Sequence, residues 1–156
     1  MIASWESKAV SGLSHADYAN LLAFRTALRR FDAWSHEQAR QVGLTHAQHQ
    51  LLLAIKGHDG PQGPTIGEAA LYLNTRHHSV VGLVDRAEAA GLLCRARDDA
   101  DARAVRLRLT DLGEERLAQL TELHLAELGR LEPILRHLVA ESEQLTEPGG
   151  PRSLSP

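Results

Sequence analysis

The chain has 156 residues, 43% of them hydrophobic and 24% charged, which is enough apolar material for one ordinary folded domain and argues against wholesale disorder. No stretch approaches the roughly 18 uninterrupted apolar residues that span a bilayer, and Met1 to Val10 has Trp5, Glu6 and Lys8 in place of a basic cap with a greasy run, so no membrane and a cytoplasmic location are expected. The net charge of −3 is unevenly spread: residues 1–75 hold 6 basic and 6 acidic groups, 76–108 hold 7 and 5, and 109–156 hold 4 and 9. All seven cations of the middle segment are Arg, the side chain suited to bidentate contact with phosphate or guanine, although a solvated surface would read the same way.

From Ser14 to Gln41 there is no Pro or Gly, and Leu21, Phe24, Leu28 and Phe31 recur at helical steps, so a long helix capped by Ser14 is predicted over 14–42. Thr45, with Gln48 three residues on, forms the pattern of a capping box and starts a second helix whose buried side is Leu51, Leu52 and Ile55. Gly57, Gly60, Pro61, Gly63 and Pro64 then force a loop. Thr65 to Leu73 and Arg76 to Ala90 read as two short helices joined at Asn74-Thr75, the outline of a helix-turn-helix, with Gly91 as the stop. Val80, Leu83, Val84 and Ala87 face inward in the second of these, leaving Arg76, His77, Ser79 and Arg86 outward; His78 is expected to face partly inward.

Leu92-Leu93-Cys94 and the alternating Val105-Arg106-Leu107-Arg108-Leu109 predict a hairpin with an Arg/Asp-rich tip, which after a helix-turn-helix is a wing. Thr110-Asp111 opens another helical stretch whose Leu117, Leu120, His124, Leu128, Leu131, Leu135 and Leu138 recur every three or four residues. Pro133 is expected to break it near Glu132 and to start a separate last helix. The two terminal stripes, 14–42 and 111–140, are too large for one small winged region (45–110) to cover, so they predict a homodimer interface. Residues 147–156, with three Pro and two Gly, are expected to be disordered. The expected fold class is mainly α with a small β-hairpin wing, a winged helix-turn-helix with N- and C-terminal dimerisation helices.

Leu83 to Leu93, the wing run from Arg97 to Arg103 and Leu107 to Thr110 resemble the signature of the MarR family, with Asp98, Asp101, Arg103 and Thr110 in the positions of its wing pattern. Leu44-Thr45, Gln48 and the run Leu73 to Ser79 resemble family members too, and the likeness spans about 14–139. Asp99 and Ala102 depart from the usual Pro and Arg, which makes the tip less cationic. The resemblance implies a transcriptional regulator, more often a repressor, that binds a pseudo-palindromic site on double-stranded DNA. It also implies a small-molecule effector pocket, for which Phe31, Trp34, His36 and His49 are candidates beside plain core packing.

Physical chemistry assigns roles to the same residues. Arg76, His77, His78 and Ser79 stand where the first turn of a recognition helix meets the major groove. Arg103 has the reach for a narrow minor groove, with Asp101 as its brace, and Arg97, Arg106 and Arg108 are further phosphate candidates. An ordinary surface ion pair is the competing reading of Asp101 with Arg103. Nine histidines raise the question of metal, with His46 and His49 three apart and His36, His124 or His137 within possible reach; without a Cys pair or a tight ligand motif they are read as capping, interfacial or surface groups, and no metal or cofactor is expected. Cys94 is read as a packed wing residue. No nucleophile with a base, P-loop or carboxylate pair is present, so no enzyme is expected; the alternative to a regulator is a winged-helix interaction or dimerisation module without a DNA target.

Overall fold

Thr45 and Thr65 set the frame of the fold. Each accepts the amide of the residue three places on (Gln48 or Glu68), whose side chain returns a bond to the threonine amide, so two helices begin at fixed points. The computed structural model describes residues 14–98, 100, 101 and 103–146; the tail expected to be disordered, 147–156, lies outside them. The order is α1 His15–Gln41, α2 His46–Lys56, α3 Ile66–Tyr72, α4 His77–Ala89, β1 Leu93–Arg97, β2 Val105–Leu109 and α5 Asp111–Thr146. The chain divides into two compact units, 32–127 and the flanking 14–31 with 128–146.

In the larger unit, Leu51, Leu52, Val80, Val84, Leu93, Leu107 and Leu120 are fully buried, joined by Ala39, Leu44, Ala69, Ala87 and Leu117. Most of these are positions that the helical and alternating patterns select, Ala39 and Leu44 being added by the structure, so one core ties α2, α3, α4 and the hairpin to the adjoining parts of α1 and α5. The strands pair antiparallel from Leu93 opposite Leu109 to Arg97 opposite Val105, so β1 reaches three residues beyond the expected Cys94. The loop before α3 adds a short third rung: Pro64 carbonyl accepts the Leu107 amide at 2.8 Å and Thr65 bridges Arg106. Gly63 makes this approach possible, with φ +80° and Leu107 carbonyl oxygen 2.2 Å from where a Cβ would stand.

The expected break at Pro133 does not occur, since α5 is continuous through it. A helical proline removes a single amide donor and crowds the carbonyl four residues earlier. The helix closes over one missing bond because propagation is cooperative. Among the described residues no helix is long and apolar enough to cross a membrane.

Candidate nucleic-acid interface

Helix α4 opens at Arg76, whose side chain makes no cap, while its carbonyl accepts the amides of Ser79 and Val80. Arg76, His77, His78 and Ser79 are all exposed, so His78 is turned outward and not partly inward as expected. The cause is the helical phase: Val80, Leu83, Val84 and Ala87 take the whole buried stripe, and His78 falls outside it. With Ala70, Leu71, Asn74 and Thr75, three of the four (Arg76, His78 and Ser79) line an open cleft of about 620 Å³. Uncapped amides at a helix start carry partial positive charge, so this end offers cations and donors together.

The wing tip is built by two aspartates acting on backbone. Asp98 accepts the amides of Ala100 and Asp101, and Asp101 accepts the Arg103 amide at 3.0 Å, so Asp101 braces the turn through the main chain of Arg103 and leaves its guanidinium outside that bond. Arg97, Arg103 and Arg108 are exposed, and no hydrogen bond or ion pair to another described residue engages their guanidinium groups. Arg106 is spent differently. Its Nε meets Asp98 at 2.6 Å and its Nη1 meets Glu68 of α3 at 3.0 Å and Gly63 carbonyl at 3.3 Å, which fastens the wing to the helix-turn-helix. The Arg106 hydrogen bond, with the Ala100 and Asp101 amides behind it, holds the Asp98 carboxyl down at about 2. Arg95 is likewise tied, to Asp85 and Glu88 of α4. Neither tie was visible in the sequence, because each joins residues 7 to 43 positions apart.

Two of the four effector candidates, Trp34 and His49, share one neighbour, His124. His49 is buried, and its ring lies 4.8 Å from His124, which also packs edge-on against Trp34 and binds Ser35 Oγ at 2.8 Å. Burial, followed by His124 and His46, pushes the His49 ring down to about 4, so it is neutral, and its Nδ1 has no hydrogen-bond partner among the described residues. His36 stacks instead on His46, and Phe31 belongs to the other unit, where it is half-buried.

An exposed, uncapped helix start followed by a charged hairpin defines a winged helix-turn-helix fold. Residues 42–104 match the model of the MarR family. Solved structures agree in fold along most of the chain. The transcriptional repressor CouR bound to a 23-mer DNA duplex is 27% identical, with a TM-score of 0.61 over 85% of this chain and 99% of that one. A mutant of S. aureus MepR bound to an oligodeoxyribonucleotide is 20% identical, with 0.62 over 83% and 98%. A MarR family protein from Bacillus stearothermophilus is 23% identical, with 0.67 over 87% and 100%. No curated protein matches the chain. Residues 42–104 are thus similar to the MarR family, and the chain shares the winged helix-turn-helix fold of these structures along most of its length.

Proposed function

We propose that the protein is a cytoplasmic homodimeric repressor that binds a pseudo-palindromic operator. The observation that carries this reading is the division of labour among the arginines: Arg95 and Arg106 are locked into carboxylates, whereas Arg76 at the start of α4 and Arg103 and Arg97 on the wing stand exposed. In this reading Arg76, His77, His78 and Ser79 enter the major groove, Arg103 enters the flanking minor groove over a turn shaped by Asp101, and Arg97 meets phosphate. Arg106 contributes by holding the wing in place. The homodimer is supported by apolar surface left open on α5, where Leu125, Leu128 and Val139 are exposed and Leu128, Leu135, Val139 and Ala140 line a groove. A small aromatic effector would find the unpartnered Nδ1 of His49 beside the rings of His124 and Trp34, and release of DNA would follow if it bound the DNA-incompetent form more tightly.

The test is a gel-shift titration on the duplex upstream of the protein's own gene against a random duplex of equal length, with the salt dependence of each. Tight, salt-dependent preference for the first, coupled with light-scattering mass of a dimer and lowered expression of a reporter behind that sequence, supports the repressor. Equal weak binding to both duplexes favours the interaction module instead.

A further inference from the structure

The turn between α1 and α2 brings together three side chains that DNA binding does not use. Asp32 and His36 lie four residues apart, hence one above the other on α1, and His46 is the first residue of α2. The His36 and His46 rings stack at 3.6 Å with 16° between their planes, and each has Nε2 within 4 Å of the Asp32 carboxylate, that of His46 also lying 3.5 Å from the Gln50 amide nitrogen. His46 Nε2 stands 3.6 Å from Oδ1 and His36 Nε2 stands 3.8 Å from Oδ2, too far for hydrogen bonds. One donor atom from each residue thus borders a shared gap, all within 4.8 Å of one another. On its other side the His46 Nδ1 is buried with no hydrogen-bond partner among the described residues.

We propose that Asp32, His36 and His46 hold a zinc ion through two imidazole nitrogens and one carboxylate oxygen, with a fourth position open to water. Ligand bonds of about 2.0–2.2 Å around a tetrahedral ion set donors roughly 3.3 Å apart. Closing from the present spacing takes small side-chain movements, which the exposed Asp32 and His36 (64% and 54%) are free to make, while His46 (23%) supplies the fixed point. Calcium and magnesium are disfavoured, because they take six or more oxygen ligands, and copper(I) prefers sulfur. The ion would join α1 to the start of α2, whose Leu51 and Leu52 sit in the core with α3 and α4.

The test uses the full chain, stripped with a chelator and titrated with Zn²⁺ against a chromophoric competitor, with Co²⁺ as a spectroscopic stand-in. One ion per chain is expected, together with tetrahedral cobalt absorption. Asp32→Asn, His36→Ala and His46→Ala should each weaken binding by at least about 10-fold, and the His36→Ala/His46→Ala pair should abolish the cobalt spectrum. His77→Ala/His78→Ala, on the recognition helix, should leave both readouts unchanged. The exposed Asp32 and His36 variants keep the test valid if His46→Ala fails to fold. The proposal is overturned if the parent chain shows no saturable Zn²⁺ binding, if the paired variant binds as tightly as the parent, or if the loss follows His77 and His78.

Discussion

Replacing Gly63 with Ala tests the junction between the loop and the wing. At φ +80° an alanine carries about 1–2 kcal/mol of left-handed strain. Its Cβ would also stand 2.2 Å from the Leu107 carbonyl oxygen, a backbone atom that cannot swing aside as a side chain would. The loop must lift from β2, and the bond from Leu107 amide to Pro64 carbonyl is lost with it, a further ~0.5–1.5 kcal/mol. The sum, about 1.5–3.5 kcal/mol, lowers Tm by roughly 3–14 °C for a chain of this length. Gly67→Ala is the internal control: its Cβ meets nothing nearer than Thr65 Oγ1 at 3.8 Å, and in a helix the change is neutral or gains up to about 0.5–1 kcal/mol. Thermal unfolding of the two variants beside the parent decides the matter. A Gly63→Ala protein as stable as Gly67→Ala would refute the packing argument.

Arg103→Ala should weaken binding to the specific duplex roughly 10-fold and leave Tm unchanged, whereas Arg106→Ala should lower Tm as well as affinity; equal Tm values for the two would contradict the separation of roles. The Asp98 carboxyl is depressed to about 2, so its contribution to stability is complete above pH about 4 and disappears as pH falls through about 2. The Tm difference between the parent and Asp98→Asn should therefore be constant from neutral pH down to about 5 and shrink below 4, and a difference that persists at pH 2 would argue against it. Pro133→Ala restores an amide donor within α5 and should raise helix stability by up to about 3 kcal/mol, measured by urea unfolding; a destabilised variant would mean that the ring makes packing contacts of its own.

Local chemistry made much of this fold readable. Thr45 with Gln48 satisfies amides reciprocally over three residues, and Val105 to Leu109 alternates because a pleated strand does, so both signals are complete within one short window. The exposed start of α4 was legible for the same reason, apart from His78, whose direction depended on the phase of a stripe shared with Val80 and Val84. The side-chain partners of the wing were not legible. Asp101 next to Arg103 suggested an ion pair, but geometry gave the carboxylate to the backbone amide. Pro133 misled because a proline rule states a local cost, and α5 continues through it despite the lost amide donor. His46 was weighed with His49, its neighbour along α2, while the fold turned it toward Asp32 and His36 across the preceding turn.

Glu68 closes the α3 capping box and, through the same carboxylate oxygen, receives Arg106 from the wing. One side chain therefore fixes both where the helix-turn-helix begins and where the hairpin lies. In the proposed reading of two grooves this acts as a ruler: the distance from the start of α4 to the wing tip is set within a single chain, and a stimulus that shifted α3 would carry the wing with it. On that same proposal, adjustment to an operator falls to the spacing between two copies, because neither reading element can be retuned without the other.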